Sequence, residues 1–323
     1  MDRDELLLKA YDRGSSLTIE NPEYLERVRV FTIGMVNEDV RRDGDITSKS
    51  VLAGFNPSIN ATILSKDYGV VAGIEEATWF YNQFDIKVRA VKRDGEHVDP
   101  DQMIFNLKGD CNDILKTERA GLNLLQRMSG IATLTRQVLD RVQGTGVHIA
   151  ATRKTHWGAL DNKAVAVAGG MTHRLGLWES ILIKENHLFV LKKNGYTNGY
   201  IEEALKRAWQ WPRKNFIEIE VGTPEEARRA ANAMQSFLDG NIELPCIIML
   251  DNFTIEGLKN IIDEIKSEGI YPNILFEASG SITPDNIASF ASTGVDVVSM
   301  GYLTHSPHSL DISQLHEYGE YPV

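Results

Sequence analysis

The sequence has little cysteine, fewer basic than acidic residues, and no long hydrophobic run. Its two cysteines, Cys111 and Cys246, are too few for a disulfide framework and form no CxxC pair, which favours a reducing, cytoplasmic setting. A formal net charge of −11 at pH 7 argues against nucleic-acid and membrane partners, because both favour a basic face. The longest apolar runs, such as 246–250, are far too short to span a membrane. The charged N-terminus is not that of a signal peptide, so we expect a cytoplasmic protein.

The 323 residues allow one large or two medium domains. Residues 1–113 mix strand and helix patterns without strict alternation, which predicts an N-terminal α/β sandwich domain. Within it, residues 44–52 (GDITSKSVL) suggest a strand or an extended segment. From residue 114 the apolar residues recur at helical spacing, and we predict long helices that break near Ser129 and Gly130.

Beyond these helices, short apolar strands alternate with helices at least six times. This alternation predicts a parallel sheet covered by helices, either doubly wound or closed as a barrel. We favour the barrel because a doubly wound sheet would concentrate its polar residues at one switch point, whereas here they follow successive strands. The residues at the predicted strand ends are Arg153, Lys154, Lys184, Glu220, Asp251, Ser279 and Gly301.

A cluster of basic residues within this acidic protein indicates a small anionic ligand. Two carboxylates, Glu220 and Asp251, are expected across the same mouth, where Mg²⁺ could bridge them to phosphate oxygens. The alternative is that one of Glu218 and Glu220, which share a strand, only faces solvent. The cluster lies within 35 residues and consists of Arg153, Lys154, His173, Arg174, Lys184 and His187.

Small residues follow the last two predicted strands, in EASGSI (277–282) and SMGYLTHS (299–306). In β/α barrels such loops often bind phosphate through backbone N–H groups and a helix N-terminus. The simpler interpretation is that Gly280 and Gly301 are only turn residues. The phosphate interpretation is favoured because all these features fall on one predicted face.

The ordered motifs resemble those of the quinolinate phosphoribosyltransferase family over nearly the whole chain. They are TERAGLNLLQRMSGIATLT, TRKT, THR, LIKENH, IEIEV, IMLDN, EASGSIT and GVDVVSMGYLTHS, with GDITSKSVL and GVVAG near the N-terminus. The resemblance implies an N-terminal α/β sandwich domain (1–113) and an open, incomplete β/α barrel (114–305). The C-terminal tail, 306–323, is expected to pack with the sandwich domain.

The resemblance also implies an activity and an assembly. Members of the family transfer ribose 5-phosphate from phosphoribosyl pyrophosphate (PRPP) to the ring nitrogen of quinolinate with Mg²⁺, releasing CO₂ and pyrophosphate. They form dimers or hexamers built from dimers. No organic cofactor is implied, because the alkylated ring nitrogen itself draws electrons from the carbon that loses CO₂.

Residue roles follow from the same resemblance. Four residues would hold the pyridine dicarboxylate: Arg153, His173, Arg174 and Lys184. Arg119 would reach that site from the neighbouring subunit, and Lys154 and Thr152 would contact PRPP or the substrate. Glu220 and Asp251 would bind ribose hydroxyls and Mg²⁺-bound pyrophosphate, and with Lys154 and Lys184 they form the predicted catalytic set. The phosphate end would be held by Ser279, Gly280, Gly301 and His305.

The chain departs from the family pattern after TRKT, where HWGAL replaces the usual Pro-Gly and Leu-Arg. Ser281 also stands where a second glycine is common. The altered loop leaves open the same transfer chemistry on another aromatic acid. A barrel lyase with Lys154 or Lys184 as a Schiff base is a second alternative. A third is a regulatory protein without activity, which would be expected to have lost the charged set.

Overall fold

The computed structural model describes residues 2–238, 244–270 and 274–317. The chain divides into two compact units whose segments interleave along the sequence. Met1–Arg13, Gln137–Thr155 and Gly170–His305 form one, which we call the parallel-sheet unit. The antiparallel-sheet unit consists of Gly14–Arg136, His156–Gly169 and Ser306–Val323. The predicted domains 1–113 and 114–305 are contiguous, whereas each of these compact units is assembled from separate segments.

The helices and strands are numbered in chain order. The helices are α1 (Arg3–Tyr11), α2 (Pro22–Val40), α3 (Ile46–Val51), α4 (Ile74–Asn82), α5 (Cys111–Arg141), α6 (Ala159–Val167), α7 (Glu185–Lys193), α8 (Tyr200–Gln210), α9 (Pro224–Leu238), α10 (Ile255–Ser267), α11 (Ile287–Ala291) and α12 (Tyr302–His305). The strands are β1 (Ser58–Ser65), β2 (Gly69–Val70), β3 (Lys87–Ala90), β4 (His97–Val98), β5 (Met103–Asp110), β6 (His148–Ala150), β7 (Ile181–Ile183), β8 (Ile217–Val221), β9 (Cys246–Asp251), β10 (Ile274–Ser279), β11 (Val297–Ser299) and β12 (Ile312–Glu317). Within the described ranges, no helix is both long enough and apolar enough to traverse a lipid bilayer.

The antiparallel-sheet unit contains a four-stranded sheet in the order β12-β1-β5-β3 and a two-stranded sheet of β2 and β4. The C-terminal strand β12 pairs antiparallel with β1, so this part of the tail completes the sheet. The strand or extended segment predicted at 44–52 is wrong for 46–51, which form α3. Asp45 starts this helix because its side chain accepts hydrogen bonds from the amides of Thr47 and Ser48.

Helix α5 is continuous over 31 residues, so the break predicted near Ser129 and Gly130 is wrong. Ser129 lies within the helix, and its hydroxyl accepts a hydrogen bond from the amide of Ala72 at 3.1 Å. The serine therefore connects the helix to another segment and does not end it. Gly130 is required for a different reason: any Cβ there would collide with the carbonyl oxygen of His308. A long-range approach of two segments, rather than a local turn, therefore explains this glycine.

The parallel-sheet unit contains six described strands in the order β6-β11-β10-β9-β8-β7, and each neighbouring pair is parallel. The core strand β9 is buried from Cys246 to Leu250, as expected for a sheet covered on both faces. Strands β6 and β7 are consecutive in sequence but lie at opposite edges of the order, so the sheet stays open. The predicted fold class, an α/β sandwich with an open, incomplete β/α barrel, is confirmed.

Candidate active site

The carboxyl ends of the parallel strands carry most of the predicted site residues. Ser279 ends β10 and lies in register with Asp251, which ends β9. Glu220 lies near the end of β8, and Lys184 follows β7 directly. Because the strands are parallel, their carboxyl ends lie along one edge of the sheet. The parallel-sheet unit contains Thr152, Arg153, Lys154, His173, Arg174, Lys184, Glu220, Asp251, Ser279, Gly280, Gly301 and His305.

Lys184 and Glu220 form an ion pair at this edge. The Nζ atom of Lys184 lies 2.5 Å from Oε2 of Glu220, and the two side chains are 45% and 14% exposed. The backbone N–H of Lys184 donates to Nδ1 of His187 at 2.9 Å, which fixes the start of α7. Lys184 and Glu220 therefore form a charged pair at the ends of two neighbouring strands.

Asp251 lies among charges of both signs. Its burial raises the pKa of the carboxyl, and the negative charge of Glu220 raises it further. The positive charges of Lys184 and Lys154 and a hydrogen bond from Ser279 partly offset these effects. Two carboxylates and two ammonium groups therefore interact near the strand ends, and the carboxylates repel each other in the absence of a bridging cation.

Arg174 and Arg153 are close enough for their positive charges to oppose each other. Burial lowers the pKa of Arg174, and the charge of Arg153 lowers it further, against the favourable charges of Glu218 and Glu179. Arg174 is only 7% exposed and donates from Nη1 to the carbonyl of Ser180 at 3.0 Å. Among the residues that the structure describes, its buried Nε atom has no acceptor. A buried donor beside a second cation is the arrangement expected for binding an anion.

The loops after β10 and β11 contain the glycines predicted at a phosphate site. Gly280 has φ +106°, and a Cβ there would collide with the side chain of Asn252, so the position requires glycine. At Gly301, a Cβ would approach Cδ of Lys154 to 3.0 Å and the ring of His305 to 3.2 Å. Lys154 and His305 thus both pack against Gly301. These two glycines are therefore turn residues with close neighbours, and their predicted contact with phosphate stays a prediction.

The prediction that one of Glu218 and Glu220 faces only solvent is wrong. Glu218 is fully buried, and its Oε2 atom lies 2.9 Å from Nε2 of His173. Strand side chains alternate with a period of two, so residues 218 and 220 lie on the same face of β8. His173 is itself 5% exposed, and its predicted contact with quinolinate stays a prediction.

Sequence analysis missed three members of a buried polar cluster that includes His173. They are Tyr11 and the glutamates Glu218 and Glu277, each of which is fully buried. The available signal was a glutamate within an otherwise apolar strand, in FIEIEV and in ILFEAS. An acid at such a position requires a buried partner. The partners could not be identified, because Tyr11 is more than 200 residues away in sequence.

The antiparallel-sheet unit contains Arg119 and the unusual HWGAL loop. Arg119 is exposed on α5. His156 and Trp157 both donate backbone N–H groups to the carboxylate of Asp161, at 3.2 and 3.1 Å. Arg127 forms a two-armed ion pair with the same carboxylate and lies 5.4 Å from the centre of the Trp157 ring. Asp161 therefore holds this loop in a defined conformation.

Ser281, the second departure from the family pattern, has φ +51°. This left-handed region favours glycine, which agrees with the glycine that is common there. Serine therefore adopts an uncommon backbone conformation near the start of the loop after β10.

Two family models match the chain. The N-terminal domain of quinolinate phosphoribosyl transferase matches residues 45–129, and its C-terminal domain matches residues 131–314. A probable nicotinate-nucleotide pyrophosphorylase (carboxylating) from Methanothermobacter thermautotrophicus is 38% identical over 289 residues, which cover 86% of this chain and 96% of that protein.

Solved structures agree with this assignment. The nicotinate-nucleotide pyrophosphorylase from Francisella tularensis is 29% identical, with a TM-score of 0.75 over 90% of this chain and 96% of that one. The nicotinate-nucleotide pyrophosphorylase from Ehrlichia chaffeensis is 30% identical, with a TM-score of 0.75 over 88% of this chain and 97% of that one. The matches span both units and include the strand ends that carry the charged residues. The chain therefore belongs to the quinolinate phosphoribosyl transferase family.

Proposed function

We propose that the charged edge of the parallel sheet transfers the phosphoribosyl group of PRPP to the ring nitrogen of quinolinate. The products are nicotinate mononucleotide, CO₂ and pyrophosphate, and the reaction belongs to NAD biosynthesis. Family membership supports this activity. The observation that carries it here is the pair Arg153 and Arg174, whose charges oppose each other while a buried guanidinium donor has no acceptor among the described residues.

The arginines would bind the dicarboxylate. Arg174 and Arg153 can each offer two parallel N–H groups to a carboxylate, which is the geometry a planar guanidinium favours. Lys184 completes the set proposed to contact quinolinate. The ammonium of Lys184 has three donors, so it can contact a substrate carboxylate while it remains paired with Glu220.

PRPP would lie along the neighbouring strand ends, where small residues leave room for phosphate oxygens. The residues proposed to contact it are Thr152, Lys154, Ser279, Gly280, Gly301 and His305. The acidic pair of Glu220 and Asp251 faces the ribose and pyrophosphate. Its negative charge would stabilise the oxocarbenium-like ribose as the bond to pyrophosphate breaks.

Glu220 and Asp251 also fit Mg²⁺. Mg²⁺ favours one or two carboxylates together with substrate phosphate oxygens. The raised pKa of Asp251, caused by burial and by the charge of Glu220, supports this, because a cation between the two acids would relieve their repulsion. When bound, Mg²⁺ would neutralise charge on the departing pyrophosphate.

The steps balance without an organic cofactor. The ring nitrogen attacks C1 of the ribose, and pyrophosphate leaves with the bonding electron pair. The resulting positive nitrogen then stabilises the electron pair that remains on the adjacent ring carbon as CO₂ departs. That carbon takes up a proton, and nicotinate mononucleotide results. The cations of the site would stabilise the departing pyrophosphate.

We further propose that the protein is cytoplasmic and forms a homodimer or a trimer of dimers. Arg119 is exposed on a helix of the antiparallel-sheet unit, which suits a residue that completes a partner's site across a two-fold axis. Cys111 and Cys246 are buried and unpaired, which supports a reducing compartment.

An activity assay tests the proposal directly. The protein is incubated with PRPP, Mg²⁺ and quinolinate, and nicotinate mononucleotide and CO₂ are measured, with nicotinate as the matched alternative substrate. Quinolinate should be used at least tenfold more efficiently, because a site built for two carboxylates leaves a buried cation unpaired with one, at a cost of roughly 100-fold. Equal efficiency would contradict the proposal and favour another aromatic acid.

A further inference from the structure

The polar cluster around His173 lies within the parallel-sheet unit and is isolated from solvent. Tyr11, Glu218 and Glu277 are 0% exposed and His173 is 5% exposed. The His173 ring packs edge-to-face against two aromatic rings, with centroid distances of 5.7 Å to Tyr11 and 5.6 Å to Phe216. Its rotation is therefore restricted, and each ring nitrogen meets a defined partner.

The hydrogen bonds of His173 determine which nitrogen carries its proton. Nδ1 lies 2.8 Å from the backbone nitrogen of Arg174. An amide N–H can only donate, so Nδ1 must be unprotonated and the ring proton must be on Nε2. Nε2 lies 2.9 Å from Oε2 of Glu218, so a proton on Nε2 is next to a negative charge. The backbone of Arg174 and the carboxylate of Glu218 thus specify a single tautomer.

The same argument excludes a metal site here. Ligand atoms of His173, Glu218 and Glu277 all lie within 4.8 Å of one another, which a cation could in principle bridge. A metal ion bound at Nε2 would need the lone pair of that nitrogen, and the ring proton would then have to be on Nδ1. Nδ1 cannot carry it, because it accepts a hydrogen bond from the amide of Arg174. Hydrogen bonding, rather than metal binding, is therefore the chemistry of the cluster.

The two carboxylates of the cluster differ in their roles. Oε2 of Glu277 lies 3.8 Å from Nε2 of His173, which is beyond hydrogen-bond distance, and accepts from the hydroxyl of Tyr11 at 2.5 Å. Burial, together with the charge of Glu218, raises the pKa of Glu277 to about 7. Glu277 is therefore paired with Tyr11, and Glu218 is the carboxylate closer to His173.

The backbone on both sides of His173 is tied down. The amide and the hydroxyl of Thr172 both donate to the carbonyl of Tyr11, at 2.9 and 2.7 Å. On the other side, Arg174 donates its amide to His173 and its guanidinium to the carbonyl of Ser180. Helix α1, which ends at Tyr11, thus supports the segment that presents Arg174, although it precedes the residues matched by the family models.

We infer that His173 is a positioning residue for Arg174, and that Glu218 sets its tautomer. By keeping the ring proton on Nε2, Glu218 leaves Nδ1 free to anchor the Arg174 amide, so that the guanidinium is held beside Arg153 before quinolinate binds. This inference rests on the proposed role of Arg174 in binding quinolinate. It assigns His173 an action through Arg174 instead of the direct contact with substrate predicted from the sequence.

Two substitutions of His173 separate the functions of its nitrogens. In His173→Asn the amide oxygen takes the position of Nδ1 and can still accept from Arg174. In His173→Gln the amide group takes the position of Nε2 and only the contact with Glu218 is kept. We expect His173→Asn to keep KM for quinolinate within about threefold of wild type, and His173→Gln to raise it about tenfold or more, as for one lost hydrogen bond. KM for PRPP should change less than about twofold in both, because Arg174 does not bind PRPP in the proposed site.

The carboxylates provide a matched pair of variants. Glu218→Gln removes the negative charge that favours a proton on Nε2, and should raise KM for quinolinate. Glu277→Gln leaves the contact between His173 and Glu218 in place, and should have the smaller effect. A larger effect of Glu277→Gln than of Glu218→Gln would overturn the inference, as would equal effects of the two His173 variants.

Nitrogen NMR of the wild-type protein, labelled with ¹⁵N-histidine, reads the tautomer without any substrate. The His173 signals are assigned by their loss in His173→Asn or, should that variant not fold, in His173→Gln. A protonated Nε2 and an unprotonated Nδ1 support the inference, and any other state of the ring overturns it. This measurement does not depend on turnover. Failure of the wild-type protein to use quinolinate would refute the proposed function instead, while the tautomer would still be measured.

Discussion

Removing the charge of Arg153 should have opposite effects on the free and the quinolinate-bound protein. In the free protein, the charge of Arg153 lowers the pKa of buried Arg174, which means that the two cations destabilise each other. Bound quinolinate would supply the negative charge that both lack. Arg153→Gln should therefore stabilise the free protein and weaken binding.

The structure sets the scale of both effects. Arg153 is exposed, so relief of repulsion should be small, about 0.5 kcal/mol, in the range of solvent-screened charge pairs. One lost hydrogen bond between charged groups costs about 1.5–3 kcal/mol, or about 50-fold in Kd. At a quinolinate concentration of about 100 times the wild-type Kd, the ligand stabilises wild type by about 2.7 kcal/mol but a 50-fold weaker variant by about 0.6 kcal/mol. The variant should then be about 0.5 kcal/mol more stable when free and about 1.5 kcal/mol less stable with ligand, which is the sum of these terms.

Urea denaturation with and without quinolinate measures this reversal, in which the variant is the more stable protein without ligand and the less stable one with ligand. The midpoints and m-values of wild type and Arg153→Gln are compared at the same ligand concentration. Arg228→Gln is the control, because Arg228 is a surface arginine of the same unit that pairs with Glu264 at 3.2 Å. It should lose a small amount of stability with or without quinolinate, and its gain from ligand should match that of wild type.

Two results would refute the reasoning. Lower stability of Arg153→Gln in the absence of ligand would mean that Arg153 forms favourable contacts instead of opposing Arg174. An unchanged gain in stability from quinolinate would mean that Arg153 does not bind the ligand. The order of stability reverses only if Arg153 both repels Arg174 in the free protein and binds quinolinate.

Further predictions concern the acids and the dimer. Glu220→Gln and Asp251→Asn should each lower kcat/KM for PRPP by a factor that corresponds to about 2–4 kcal/mol of lost transition-state stabilisation, because a charged partner is removed. Quinolinate binding should change little. Steady-state kinetics and direct quinolinate binding check this, and unchanged kinetics in both variants would make the pair structural. Arg119→Ala and Lys184→Ala should each be nearly inactive alone, but mixing after dissociation should restore roughly one site in four if Arg119 acts in the partner's site. No recovery, with subunit exchange confirmed by mass spectrometry, would contradict the shared site.

The fold could be predicted where local periodicity determines it. The short apolar strands from β6 to β11 and the polar residues at their ends were all identified, because a parallel strand requires an apolar run and its carboxyl end meets its neighbours' ends. Helix α5 shows where this reasoning fails. Gly130 suggested a helix break, but the glycine is needed because the carbonyl oxygen of His308 lies close to it. A contact between residues so far apart in sequence cannot be read from a local pattern.

The charged residues of the site were predictable for a similar reason, whereas the groups that support them were not. Arg153, Arg174 and Lys184 stand out in an acidic chain, so composition alone drew attention to them. Glu218 and Tyr11 do not stand out, because a glutamate in a strand and a tyrosine at a helix end are both ordinary. Only their burial and their distances to His173 and Glu277 distinguish them.

The pairing of charges explains how an acidic protein can keep a strongly cationic site available. Glu220 pairs with Lys184, and Asp251 interacts with Lys154, so the carboxylates at the strand ends meet ammonium groups. The buried guanidinium of Arg174 instead donates to the neutral carbonyl oxygen of Ser180, and the charges of Glu218 and Glu179 only partly offset its burial and its repulsion by Arg153. The ammonium of a lysine is a compact charge that can contact an acid and a substrate at the same time. The planar guanidinium of an arginine instead matches a carboxylate with two parallel hydrogen bonds. Acids that pair with lysines would therefore leave the arginine for the proposed dianionic substrate, and binding of that substrate would relieve the repulsion within the cation pair.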